Sequence, residues 1–261
     1  MGKTTAIVLA AGSGKRMNSD TKKQYLLIKG KPLLYYSLMA FEKSAIIDEI
    51  VLVTSVDDIE YVKEEIVEKY HINKVSVITE GGKERYNSVY NGICALKDCE
   101  YVFIHDGARP FINEEILIRA MDKLIKCGSA VVGMPVKDTI KIVDDEAVVK
   151  DTPNRRSVWQ VQTPQCFKFD IVKKAYDNLI ACENSGELIK REIQVTDDAM
   201  VVETFLNNIE EKFNVHLVEG SYENIKITTP EDLIIAEAFL KYQGNICLDF
   251  AFKKNKKNTF F

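Results

Sequence analysis

Paired or clustered cysteines and histidines are missing from this sequence. Its six cysteines (positions 94, 99, 127, 166, 182 and 247) are scattered without a CxxC pair, and it has three histidines. That spacing excludes a zinc finger or a disulfide scaffold and predicts reduced thiols in a cytoplasm. No apolar run is long enough to cross a bilayer, and Ala6–Ala11 is too short for a secretory signal. The expectation is a soluble protein without a membrane partner. An excess of positive charge is also lacking: 35 Lys and Arg against 39 Asp and Glu leave −4, which argues against a nucleic-acid partner. Four lysines fall with one aspartate in the tail 244–261, so residues 1–243 are more acidic still. Internal repeats and low-complexity linkers are absent.

What remains is an ordinary globular composition, 46% hydrophobic and 28% charged over 261 residues. That length buries a full core. Short apolar runs at Ile7–Ala10, Ile50–Thr54, Val75–Ile78, Tyr101–His105 and Ala130–Met134 read as strands buried on both faces. Amphipathic stretches at Pro32–Glu42, Asp58–Tyr70, Glu84–Leu96 and Glu114–Lys126 alternate with them as helices. This alternation predicts an α/β fold with a doubly wound, mostly parallel sheet, whose ligands sit at the carboxyl ends of the strands. After Met134 the pattern changes. Thr139–Val143 and Ala147–Lys150 flank the polar turn Asp144-Asp145-Glu146, and Val158–Gln162 extends a strand-rich β-arm over about 137–167. Helices follow at Asp170–Ala181 and Asp197–Leu206, late strands at Val215–Val218 and Ile225–Thr228, and a closing helix at Pro230–Tyr242. The division expected is one domain, 1–243, with a protruding β-arm and a basic, aromatic tail at 244–261.

Four segments carry chemistry. The first strand runs into Ala10-Ala11-Gly12-Ser13-Gly14-Lys15-Arg16, where small residues let backbone N–H groups approach a phosphate. The spacing is neither GxxxxGK[ST] nor GxGxxG, since Met17 fills the third glycine position. Arg16 and Lys23 place two cations just beyond the glycines, which favours phosphate binding. Gly81-Gly82-Lys83-Glu84-Arg85 and Ser88 open a helix after another strand; a base or phosphate contact and an ordinary strand-to-helix turn fit equally well. His105-Asp106-Gly107-Ala108-Arg109 closes a strand where an open sheet places its ligands. Asp106 suits a metal ion or a hydroxyl, and Arg109 suits a phosphate. His105 reads as a packing residue. Lys226, between Ile225 and Ile227, either faces solvent or reaches the cleft. Thr196 reads equally as an N-cap to the helix that follows it.

Taken in order, these segments resemble the cytidylyltransferases of isoprenoid-precursor synthesis, among the Rossmann-like nucleotidyltransferases with a glycine-rich first loop. The resemblance covers about residues 5–242. It also rests on Lys23-Gln24-Tyr25, on Pro135 through Lys141, on Trp159 through Phe167 with its Gln162-Thr163-Pro164-Gln165, on Thr196-Asp197-Asp198-Ala199 and on Asn224 through Thr228. It implies transfer of CMP from CTP to methylerythritol 4-phosphate, with release of pyrophosphate and a Mg²⁺ ion accompanying the nucleotide.

By the same resemblance, Ala10, Ala11, Gly12, Ser13 and Gly14 cradle the triphosphate, and Arg16, Lys23 and Lys226 are the catalytic cations. Gly82, Lys83 and Ser88 meet the cytosine and ribose. Asp106, Arg109, Thr163, Thr196 and Lys226 face the polyol phosphate, and Asp106 is also the candidate metal ligand. Thr139 and Arg155 lie in the arm, which the resemblance has crossing to a second subunit of a homodimer. Lys83 stands where an acidic residue is frequent, Arg156 duplicates the cation at Arg155, and Asn207–Asn214 is longer than usual. The nearest rival is a ribitol-5-phosphate cytidylyltransferase. A rival of another class is a non-catalytic nucleotide-binding protein on the same fold.

Overall fold

Tyr101–Asp106 is buried at all six positions, as a strand covered on both faces must be, and it lies near the middle of the sheet. The structure, a computed structural model, describes residues 2–12, 21–206 and 213–242. Ser13, Gly14, Arg16, most of the stretch Asn207–Asn214 and the tail 244–261 therefore lie outside the described residues. In chain order the strands begin with β1 (Thr4–Leu9), β2 (Leu27–Ile28), β3 (Lys31–Pro32), β4 (Glu49–Thr54), β5 (Val75–Glu80) and β6 (Tyr101–Asp106). They continue with β7 (Ser129–Pro135), β8 (Ile142–Val143), β9 (Val149–Asp151), β10 (Trp159–Lys168) and β11 (Leu217–Glu219). Seven of them form one sheet in the order β11-β7-β10-β6-β1-β4-β5.

Period-two alternation along β1 assigns its side chains to two cores. Ala6 and Val8 point to the layer that holds α1 (Leu33–Lys43), through Leu34, Leu38 and Phe41. Ile7 points to the opposite layer, against Val89 and Ile93 of the helix Arg85–Cys94. The sheet is thus doubly wound and mostly parallel, as the alternating pattern predicts. Between β4 and β5 the helical segment differs from the expected Asp58–Tyr70. After α2 (Ile59–Val62) it widens into a π-helical turn, Lys63–Glu68. The later helices are α3 (Arg85–Cys94), α4 (Glu114–Cys127), α5 (Phe169–Asn184), α6 (Glu187–Lys190) and α7 (Asp198–Phe205), followed by a helix over 230–242.

The expected short strand Val158–Gln162 is instead the first half of the ten-residue β10, which runs antiparallel between β6 and β7. Trp159 pairs with Pro135, so the chain leaves and re-enters the sheet at neighbouring positions. An antiparallel return follows from that geometry, because a parallel one needs a crossover to the far end of the sheet. The excursion outside the sheet spans 136–158 and holds the small β8–β9 pair. Within β10, four steps from Val161 to Gln165 match two steps of β7, from Gly133 to Val131. The slip is a bulge at Gln162-Thr163-Pro164, and bulges re-aim side chains. Ile225–Thr228, expected as a strand, has no sheet partner among the described residues. It lies on a third apolar cluster of Ile28, Leu33, Ala108, Phe111, Ile227 and Ala236, where the Ile227 N–H donates to Ala108 O at 2.8 Å. That anchoring presents Lys226 at the end of β6.

Candidate active site

Two loops meet over the carboxyl ends of β1 and β5. The Ala10 N–H donates to Val53 O at 2.6 Å, and Gln24 Nε2 donates to Ala10 O at 2.6 Å. This ties the 23–25 turn, and Lys23 with it, to the first loop. A Cβ on Gly81 would lie 2.3 Å from Ala11 Cβ, so only glycine allows the loops to come this close. The Gly82 N–H donates to Ser88 Oγ at 3.0 Å, a bond that shapes the turn into α3. Beneath these loops lies a cavity of about 370 Å³. Ala10, Ala11 and Gly12 line one side, Gly82, Lys83 and Ser88 another, and Lys23, Asp106 and Lys226 the floor.

A second cavity of about 360 Å³ opens on the other side of Asp106, against Arg109, Thr163 and Thr196. Among the described residues three line both cavities: Arg85, Asp106 and Lys226. The Asp106 carboxylate accepts from Arg85 Nε at 3.2 Å through Oδ1 and from Lys226 Nζ at 2.8 Å through Oδ2. Arg109 Nε lies 3.9 Å from the same Oδ2, with no hydrogen-bond partner among the described residues. Burial would raise the Asp106 pKa, but the Arg85, Lys226 and Arg109 charges hold it well below the usual carboxylate range. Burial also lowers the Arg109 pKa, against the pull of Asp106.

The two late motifs converge on this centre. Asn224 Nδ2 donates to Thr163 O at 2.9 Å, and Arg109 Nη1 donates to Asn224 O at 2.8 Å. Gln165 Oε1 accepts the Ala199 N–H at 2.7 Å and so docks the start of α7 on β10. The N-cap of α7 is Asp197, which accepts the Met200 N–H at 2.9 Å; Thr196 is exposed and does not cap it. Thr163 lines the second cavity, and its hydroxyl also has partners within the protein. His105 Nε2 faces Arg109 O at 3.1 Å, and a carbonyl only accepts, so Nε2 carries the ring proton. Burial lowers the His105 pKa to about 4, which leaves the ring neutral and makes Nδ1 an acceptor. Thr163 Oγ1 therefore donates to Nδ1 at 3.0 Å and accepts the Asp106 N–H at 3.1 Å. Its one hydroxyl proton is committed, and Thr163 positions Asp106. His105 is the packing residue expected of it, fully buried with its ring edge-on to Phe41.

Thr139 and Arg155 line neither cavity. Both are exposed on the 136–158 excursion, with Arg155 Nη1 near Lys137 O at 3.5 Å. The main residue missing from the sequence reading is Arg85. A cation in the first turn of a helix opposes the helix dipole. That mismatch at the head of α3 was the available signal for Arg85.

An open α/β sheet with a small-residue loop over one nucleotide-sized cavity, and a cation cluster shared with a second, defines the protein class: a nucleotidyltransferase. The family model "IspD: 2-C-methyl-D-erythritol 4-phosphate cytidylyltransferase" matches residues 4–242, and the chain belongs to that family. The 2-C-methyl-D-erythritol 4-phosphate cytidylyltransferase of Lachnoclostridium phytofermentans is 48% identical over 241 residues, covering 92% of this chain and 97% of that one. The protein of the same name from Clostridium perfringens is 48% identical over 242 residues, covering 92% and 100%. The crystal structure of 4-diphosphocytidyl-2C-methyl-D-erythritol synthase from Anaerococcus prevotii superposes with a TM-score of 0.77 at 36% identity, over 92% and 96% of the two chains.

Proposed function

We propose that this chain transfers CMP from CTP to 2-C-methyl-D-erythritol 4-phosphate, giving 4-diphosphocytidyl-2-C-methyl-D-erythritol and pyrophosphate in the non-mevalonate route to isoprenoids. The observation that carries the reading is the wall common to both cavities, where Arg85, Asp106 and Lys226 stand between a nucleotide-sized space and a second polar one. A phosphate oxygen of the polyol phosphate attacks the α-phosphorus of CTP in line, and pyrophosphate leaves. The attacking group is already an anion, so no general base is needed. His105, neutral with both ring nitrogens engaged, supplies none. Catalysis is then positioning plus stabilisation of charge on the transferring group.

Ala10 to Gly14 cradle the triphosphate in this scheme, with Arg16, Lys23 and Lys226 as the cations facing the α-phosphate and the leaving group. Gly82, Lys83 and Ser88 hold the base and ribose. Arg109, Thr163 and Thr196 line the side that takes the polyol phosphate, and Asp106 orients Lys226 while offering its edge to substrate hydroxyls.

For a divalent cation, the described residues hold no group of three or more His, Cys, Asp or Glu able to bind one. Among the described residues Asp106 is the single carboxylate lining both cavities. With its oxygens already facing Arg85 and Lys226, Asp106 fits a Mg²⁺ ion only if that ion arrives on the triphosphate, keeps its waters and meets the carboxylate through them. Bound there, the ion would offset negative charge on the phosphate oxygens.

The excursion supports a homodimer as part of the same proposal. Ile142, Val143, Val148 and Val149 expose about half of their surface on a small two-stranded pair, and a second subunit would cover them. Thr139 and Arg155 then complete the neighbouring subunit's site. We place the enzyme in the cytoplasm, where its nucleotide substrate is made; among the described residues no helix is long and apolar enough to cross a membrane.

Pyrophosphate release from CTP, measured with each polyol phosphate in turn, tests the assignment. Turnover with methylerythritol 4-phosphate is expected. Turnover with ribitol 5-phosphate alone would move the chain to the rival activity. CTP binding without pyrophosphate release in either arm would make it a non-catalytic nucleotide binder.

A further inference from the structure

We infer that Asp198 is a positioning residue for nucleotidyl transfer, acting through Arg85 on Asp106 and so on Lys226; the inference rests on the cytidylyltransferase reading above. Asp198 is fully buried and lines neither cavity, so it meets neither substrate. Its carboxylate takes Arg85 Nη1 at Oδ1 and Nη2 at Oδ2, both at 2.8 Å, in a two-pronged pairing that fixes the guanidinium plane. Oδ1 also accepts the hydroxyl of Tyr176, another fully buried residue, at 2.5 Å. Both terminal nitrogens of Arg85 are thereby turned to Asp198, which leaves Nε to donate to Asp106 Oδ1 at 3.2 Å. Oδ2 of Asp106 then remains for Lys226.

The chain of contacts runs Tyr176–Asp198–Arg85–Asp106–Lys226 and ties α5, α7, α3 and β6 to the late loop. Each member limits the next one's freedom. Burial works against the Arg85 charge, yet the Asp198 and then the Asp106 carboxylate raise its pKa well above the ordinary value. A helix start is the wrong end for a cation, and buried ion pairs rarely repay their desolvation. The Arg85–Asp198 pair is therefore a poor device for stability alone. What it provides is a fixed donor against the one carboxylate that both cavities share. Remove the Asp198 charge, and among the described residues Arg85 keeps Asp106 as its one carboxylate partner; it then swings toward that carboxylate and competes with Lys226 for it.

The test is steady-state kinetics on Asp198→Asn, Tyr176→Phe, Arg85→Lys and the Arg85→Lys/Asp198→Asn double variant, with CTP and methylerythritol 4-phosphate. Asp198→Asn keeps the side chain's size but sets an amide against the guanidinium. It is expected to lower kcat about 10- to 100-fold, the scale of a misplacement of about 1 Å. KM for CTP should stay within about twofold, because the turn that meets the base and ribose is shaped by the Gly82 N–H to Ser88 Oγ bond, which involves neither Arg85 nor Asp198. Tyr176→Phe, which removes one buried hydroxyl, should lower kcat about two- to fivefold with KM unmoved. The double variant should be within about twofold of the worse single one, since both act through one contact. Folded Asp198→Asn or Tyr176→Phe protein with wild-type kcat overturns the inference, as do defects that multiply in the double variant. If Asp198→Asn does not fold, Tyr176→Phe decides alone. A wild-type protein that fails to turn over overturns the functional reading and this inference together, whereas active wild type with unaffected variants overturns this inference alone.

Discussion

Lys226 sets its ammonium 2.8 Å from Asp106 Oδ2, on the wall between the two cavities, while keeping about a third of its own surface open. A cation held by a carboxylate yet still accessible is preorganised for a phosphate, because it needs no search when charge develops. Lys226→Met is therefore expected to lower kcat by about 10²- to 10³-fold, the usual cost of one such contact. Asp106→Asn should weaken turnover too, since it releases Lys226, Arg85 and Arg109 from their common anchor. The pyrophosphate-release assay reads both, and wild-type kcat in Lys226→Met would take this lysine out of the reaction.

Lys23 is placed differently, by a short 3-10 turn that its neighbours hold. Gln24 bonds the Ala10 carbonyl, and the Tyr25 hydroxyl donates to Asp58 Oδ2 at 3.0 Å. Burial pushes the Tyr25 pKa well above its ordinary value, so that hydroxyl remains a donor across the working range. Lys23→Ala should reduce kcat by about two orders of magnitude or more. Tyr25→Phe should show a smaller loss in the same direction, because it loosens the turn and leaves the ammonium in place. Near-wild-type kinetics in Lys23→Ala would remove Lys23 from the site.

The parallel strands could be read from the sequence because β1, β4 and β6 are apolar on both faces, a pattern few other environments produce. β10 could not, because its order depends on where the 136–158 excursion returns, and that is a long-range fact with no local pattern. At the site, Lys23, Asp106, Arg109 and Lys226 carry charge beside glycines or strand ends, where local rules already expect ligands. Arg85 and Asp198 have roles that exist only as a pair, made by α3 and α7 packing on the same side of the sheet. Thr163 was legible as a site residue but not as a committed donor. That distinction depends on which nitrogen of His105 holds the proton, and only Arg109 O decides it.

His105 leads to a pH prediction for stability. Its pKa is lowered from 6.5 to about 4 by burial, so between those values the unfolded chain binds more protons than the native one. The contribution is fully present above pH 6.5 and is lost as pH falls toward 4. Its size is on the order of 3 kcal/mol. Urea unfolding midpoints should fall across that window, and His105→Gln should flatten the slope. An equal slope in the variant would show that His105 does not titrate on unfolding. Nitrogen NMR of the wild type should find the ring neutral and protonated at Nε2.

A shared active site makes a prediction that a self-contained one does not. Lys226→Met disables a subunit's own centre, whereas Arg155→Ala, if the excursion crosses between subunits, disables the neighbour's. Each variant alone should be inactive and, by sedimentation, dimeric. Unfolding and refolding the two together gives mixed dimers in which the Arg155→Ala subunit keeps its own Lys226 and receives Arg155 from its partner. Random mixing of a two-fold dimer should then restore about a quarter of wild-type activity. If Arg155 served its own subunit, both centres of every mixed dimer would stay broken and nothing would return. An active wild-type monomer in the centrifuge would sink the shared site outright.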